Sequence, residues 1–308
     1  MKRNLRKIAV ATMLFGLILG IYAPAFADNG GDSSKSVNEK LGVPIVVLGE
    51  KLTEKQKEET RKLLKVSNDD TVDEYIVTGE DGAAYIGGNP NSNMYSSAKI
   101  TVEESGKGLQ IDIVTQENIT EVTNEMYANA LLTAGVENAT VLVASPVKVS
   151  GHSALTGIYK AFDVKGVALD KERMELANEE LGIASELAKK EGLSQEKVSE
   201  LLTEIKTAIA EQNPATKEDV EKIVKEQLDK LEISLNEKDR QLLIDLFEKM
   251  RDLNINFDNV KEQLNDIASK VQDKLGELVN DEGFWQNVGN FFNQIFEALS
   301  NFIKGLFS

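Results

Sequence analysis

The chain has 308 residues, with 51 acidic side chains against 35 Lys and Arg, and a formal net charge of -16. Nucleic-acid binding needs basic patches that displace counterions, so this balance argues against a nucleic-acid partner. The chain holds no Cys and one His, His152; thiol catalysis, Cys-ligated zinc, disulfide frameworks and multi-His metal centres are therefore excluded.

The segment 1–27 reads as a secretory signal peptide. Lys2, Arg3, Arg6 and Lys7 form a positive n-region, and Ile8 to Ala23 an apolar h-region. Ala25-Phe26-Ala27 is a small-x-small cleavage site. The apolar run is short for a membrane span of about 20 residues, and no Cys follows it that could take a lipid. Cleavage after Ala27 would leave 31 Lys and Arg against 51 acids, a net charge of -20. Such an exported chain, without disulfides, has to be stabilised by a sizeable core.

Residues 28–40 are a polar Gly/Ser leader expected to be disordered. VPIVVLG (43–49) is a β-branched run ended by Gly, a strand signal. Thr53 to Gln56 is a capping box opening a helix to about Lys65. EYIVTG (74–79) reads as a strand and GGNPNSN (87–93) as a loop. SAKITVEE (97–104) and LQIDIVT (109–115) alternate, and Ser105-Gly106-Lys107-Gly108 between them predicts a hairpin. Asn118-Ile119-Thr120 is expected to cap a helix that Gly135 closes as a left-handed residue. ATVLVASP (139–146) reads as a buried strand stopped by Pro146. Residues 149–163 read as a turn into another helix, capped by Ser150 or Ser153.

After Gly166 nothing reads as strand. Asp170, Ser194, Thr216 and Asn236 cap four helices, and Val260, Leu264, Ile267, Val271, Leu275 and Leu278 stripe a fifth. The expected fold is α+β: a sheet-with-helices domain over 41–166, a helical bundle over 167–283, and an amphipathic helix over 284–308.

Several motifs occur in series: Asn89-Pro90-Asn91, Ser96-Ser97-Ala98, Asn118-Ile119-Thr120, Asn129-Ala130-Leu131-Leu132-Thr133-Ala134-Gly135, and Ser150-Gly151 with Ala154-Leu155-Thr156-Gly157. Together they resemble the secreted Gram-positive family catalogued as domain of unknown function 1002, over roughly residues 41 to 275. The resemblance implies an exported bacterial protein and no particular activity. His152 departs from the pattern, which usually has a small or hydroxylated residue there.

No convincing catalytic constellation emerges. Gly151-His152-Ser153-Ala154-Leu155 lacks the second Gly of a nucleophile elbow, and no His distant from Ser153 exists to complete a triad. A Ser153–Lys160 dyad rests on spacing alone. Asp69-Asp70, Asp73-Glu74 and Glu80-Asp81-Gly82 offer hard oxygens but no Ca²⁺ loop with alternating acids. No cofactor is expected.

The segment 284–308 holds the single Trp and six of the eleven Phe, with only Glu297 and Lys304 charged. Apolar residues recur at steps of one, three and four, giving one aromatic face and one face of Asn, Gln, Gly and Ser. Polar residues on every turn forbid spanning a bilayer, whereas lying in its surface is allowed. Packing on the preceding helices, docking on a membrane surface, or filling a partner's groove would each bury the stripe. The reading favoured is a non-enzymatic, secreted, envelope-associated protein, its partner a membrane surface or envelope protein. It would dock through Trp285, Phe291, Phe292, Phe296 and Phe302. The alternative is a secreted hydrolase using carboxylates or Ser153.

Overall fold

Two parallel strand pairs, each joined by a helix, flank a single antiparallel strand in the sheet. The structure is a computed structural model and describes residues 42–190 and 193–280. The strands are β1 (Ile45–Gly49), β2 (Asp73–Val77), β3 (Ser97–Val102), β4 (Leu109–Ile113) and β5 (Ala139–Ala144), in the order β2-β1-β3-β5-β4. β1 is parallel to β2, and β4 to β5; β3 runs antiparallel to both β1 and β5. Helix α1 (Glu54–Leu63) links the first parallel pair and α3 (Asn124–Ala134) the second; α2 (Gly79–Ile86) follows β2.

The expected hairpin between 97–104 and 109–115 is not formed, because β5 lies between its two strands. The reason is burial. β5 is an almost wholly apolar run, and such a run is stable only with both edges paired and both faces covered. β4 alternates exposed and covered residues and takes the edge. The Gly-rich turn is instead wrapped around Asn138, whose Oδ1 accepts from the backbone N–H of Gly106 at 2.9 Å and Gly108 at 3.1 Å. Turn chemistry alone could not reveal a strand that arrives only after α3.

On one sheet face Val46, Leu48 and Ala144 meet Leu64, just past α1. The other face, with Ile45, Val47, Val77, Ala98, Ile100, Val141 and Val143, is covered by α3 and α4 (Ser153–Val164). Beyond Gly166 come α5 (Lys171–Leu187), α6 (Gln195–Gln212), α7 (Lys217–Lys230), α8 (Glu237–Asp252) and α9 (Lys261–Asn280). Helix α5 packs on α2 and α3, α6 on α3, and α9 on α6 and α3. Apolar residues of the sheet and of these helices belong to one continuous core cluster.

Most predicted caps are in place. Thr53 forms the full capping box with Gln56, and Asp170, Ser194, Thr216 and Asn236 each accept from the backbone N–H three residues on. Gly135 is left-handed at φ 90°. Two expectations fail. Asn118 to Thr120 do not cap α3; Thr123 does. Asn118 Nδ2 donates to the Ser145 carbonyl instead, and Thr120 Oγ1 to that of Val149, which holds the segment extended beside residues 147–149. Neither Ser150 nor Ser153 caps α4, whose first turn has no side-chain cap. Helix α2 went unread: Thr78 and Asp81 form its capping box, but eight residues with two Gly give too short a period to see.

Candidate functional site

The docking residues Trp285, Phe291, Phe292, Phe296 and Phe302, and the cleavage residues Ala25 and Ala27, lie outside the described residues. The other singled-out residues are placed. Ser153 and Lys160 are both on α4, but Lys160 Nζ is bonded to Asp81 Oδ2 at 2.7 Å. It is thus committed to a neighbouring helix. Glu74 receives two bonds of 2.6 Å from Arg61, and Asp81 caps α2. No cluster of three or more metal-binding side chains exists among the described residues.

His152 Nε2 lies 3.2 Å from Ser185 Oγ, on α5. The pair looks like half a triad, yet Ser185 is buried in the last turn of α5 and its hydroxyl donates to the Glu121 carbonyl at 3.1 Å. It has no open side from which to attack a substrate. Burial holds the His152 pKa below the ordinary value, with Glu121 opposing and Lys189 adding to the shift. The folded chain therefore keeps a neutral ring where the unfolded chain, near the ordinary pKa of about 6.5, takes a proton. Stability supported by His152 is present above that value and is lost as pH falls below it. The urea midpoint is expected to drop between pH 7.5 and pH 5.5, and His152→Gln should flatten that decline; an unchanged slope would refute it.

A polar cluster sits at the meeting of α3, α5 and α6. Lys206 is 0% exposed and Glu180 is 1% exposed. The Lys206 Nζ donates to Glu180 Oε1 at 2.5 Å and to the Asn129 carbonyl at 2.7 Å. Thr133 Oγ1 donates to the other Glu180 oxygen at 2.6 Å, and Asn129 Nδ2 to Thr203 Oγ1 at 2.9 Å. The Phe257 ring centroid is 5.7 Å from the ammonium. Burial pulls the Lys206 pKa down, against the attraction of Glu180. Tyr159 OH, buried with no hydrogen-bond partner, is pushed up by burial, with Glu180 adding to it. An ion pair sealed this way fixes register and contributes little net stability over a well-packed apolar contact. It joins α6 to both α3 and α5.

An open feature lies along the sheet edge. Between β4 and α9 runs a groove of about 670 Å³. Ala139 N–H donates to the Gly108 carbonyl and Val114 N–H to that of Val143, so alternate residues Leu109, Ile111 and Ile113 turn their backbone groups away from β5. Gln263 Oε1 accepts from Leu109 N–H and Asn124 Oδ1 from Ile113 N–H, both at 2.9 Å. Two side-chain amides thus stand in for a neighbouring strand, and Ile111 between them has no such partner among the described residues. Leu109, Ile111, Ala128 and Ile267 give the groove its apolar lining; Lys274 bridges one end to Glu125 at 2.7 Å. A sequence reader could have flagged the edge from β4's alternation, but not the helix facing it.

The model of the "Protein of unknown function (DUF1002)" family matches residues 48–267, more than half of the chain. The chain belongs to the DUF1002 family. It is also 35% identical over 274 residues to the "Uncharacterized protein YpuA" of Bacillus subtilis (strain 168), covering 86% of this chain and 91% of that protein. No solved structure matches. Several of the motifs read in the sequence sit at joints of the fold. Asn129 and Thr133 belong to the buried cluster. Ser97 Oγ accepts from Gly49 N–H at 3.1 Å, tying β3 to the end of β1. Gly151, at φ 108°, leaves room for Ile119 and for Tyr127 OH, which donates to its carbonyl. Gly157 lies where α4 crosses Val47 and Val77, and a Cβ there would reach Val47 at an ordinary contact distance of 3.5 Å.

Proposed function

We propose that this DUF1002 protein is exported and acts without catalysis at the cell envelope, docking through residues 284–308. The aromatic face Trp285, Phe291, Phe292, Phe296 and Phe302 would meet a membrane surface or an envelope protein. The observation that carries this reading is the fastening of α9. Val260, Leu264, Ile267 and Val271 are buried, and the helix packs on α6 and α3. The helix before the stripe is therefore a fixed stem on a folded body, a suitable mount for a docking element. The signal-like segment 1–27 supports export. The hydrolase alternative has less support, because Lys160 is committed to Asp81 and His152 to a buried Ser185.

Fractionation of native cells and culture fluid tests it. Full-length protein is expected to pellet with membranes and a version ending at Gly283 to be released. Phe292→Asp with Phe296→Asp should release the protein with its body still folded. Equal solubility of all forms, with a lower melting temperature for the shortened one, would overturn the reading.

A further inference from the structure

The groove between β4 and α9 has the features of a seat for the tail itself. Leu109, Ile111, Ala128 and Ile267 line it beside charged Glu262, Asp266, Lys270 and Asp273, and its volume of about 670 Å³ falls within the range of about 300–1,000 Å³ that ligand pockets occupy. Its strand side already uses side-chain amides as edge partners, from Gln263 and Asn124, and between them Ile111 has no such side-chain partner among the described residues. The sequence after Asn280 supplies the matching chemistry. Asp281-Glu282-Gly283 is a turn-forming stretch, after which aromatic residues alternate with amides: Gln286, Asn287, Asn290, Asn293 and Gln294.

Position agrees with chemistry. Gln263 contacts Leu109 near the start of α9, while Lys274 contacts Glu125, beside the Asn124 that caps Ile113. Helix α9 and β4 thus run in the same sense. From Gln263 to Lys274 the helix advances about 16 Å, at about 1.5 Å per residue. The chain leaves α9 at Asn280, shortly past Lys274, at the Asn124 end of the groove. A turn at Gly283 would send the next residues back along the groove, and residues 284–308 are more than long enough to cover it.

We propose that residues 284–308 fold back into the β4–α9 groove as an intramolecular latch. The aromatic face lies on Ala128 and Ile267, and tail amides bond the backbone of Ile111. This rests on the docking reading above and adds its regulation: the tail is stowed in the free protein and exchanges to the envelope when it docks. Groove and envelope compete for one aromatic face, so filling the groove must strengthen docking.

Trp285 is the only Trp and reports on the tail directly. Its emission and acrylamide quenching would be measured in the full chain, in Ile111→Arg and in Ala128→Arg, with circular dichroism on melting to establish that the body is folded. Phosphatidylcholine vesicles, which lack net charge, serve as the docking probe. The expected result is a blue-shifted, shielded Trp285 at all protein concentrations. Each variant should show a red shift, at least twofold more quenching and severalfold tighter vesicle binding. Ala128 is buried, so if its variant does not fold, Ile111→Arg at the half-exposed edge decides. Unchanged Trp285 emission in a folded variant overturns the latch, as does shielding that disappears on dilution. If vesicles shift Trp285 while the groove variants do not, docking stands and the latch falls. If the groove variants expose Trp285 but nothing binds vesicles or pellets with membranes, the latch stands and docking falls.

Discussion

Replacing Lys206 by Met is expected to destabilise the protein by about 3–5 kcal/mol, because it leaves a buried carboxylate without its partner. Glu180 is 1% exposed, and its two oxygens are held by Lys206 and Thr133. With the ammonium gone, one oxygen keeps the Thr133 hydroxyl and the other loses its hydrogen bond. The Asn129 carbonyl also loses one of its donors, keeping Thr133 Oγ1. Glu180→Leu alone should cost a similar amount, since it strands the ammonium beside Phe257. The double change to Met and Leu should recover most of the loss, because a sealed ion pair is worth little more than a packed apolar contact. Urea unfolding of the four proteins gives the coupling directly. Losses that simply add would show that the two residues act independently.

The second large effect belongs to Gly79, where Ala is expected to cost about 2–3 kcal/mol, the usual scale of overpacking. A Cβ there would lie 2.2 Å from the Pro90 carbonyl oxygen. The obstacle is backbone, which cannot swing aside as a side chain could. Gly49 is the same case, with a Cβ 2.5 Å from the Met94 carbonyl oxygen. Both are places where the loop 87–96 is pressed against the ends of β1 and β2. Gly106 is the control. It has a positive φ of 87° but nothing within 4 Å, so Ala there should cost about 1–2 kcal/mol, from backbone strain alone. Equal unfolding midpoints for Gly79→Ala and Gly106→Ala would show that the loop yields.

Much of the architecture was legible because it is local. A cap involves one side chain and a backbone N–H three residues on, so Thr53, Asp170, Ser194, Thr216 and Asn236 could be read directly. The helices α5 to α8 announced themselves through these caps and α9 through its stripe. The neighbours of β5 could not be read, because pairing is non-local and the Ser105–Gly108 turn suits a split hairpin as well as a closed one. The buried cluster was half legible. Glu180 lies four residues from Leu176 and from Ala184, on the apolar face of α5. Lys206 lies four residues past Leu202 on α6. Charges on a stripe at helical spacing were the signal, and two of them on successive helices the hint of a pair. The groove was not legible, since it exists only where β4 meets α9, a helix from the far end of the described chain.

The place of β5 also dictates when the sheet can exist. Until Ala139–Ala144 has been made or delivered, β3 has one open edge and β4 has no neighbour. The two parallel pairs therefore cannot be joined by any chain that stops short of Ala144. A chain emerging from its amino end would carry a three-stranded fragment and a loose fourth strand, both exposing unpaired backbone. Closing them is one event, the entry of a single apolar segment between two waiting edges, and the Asn138 side chain that grips the Gly106–Gly108 loop arrives with it. Assembly of this fold waits on an interior strand and not on its rim.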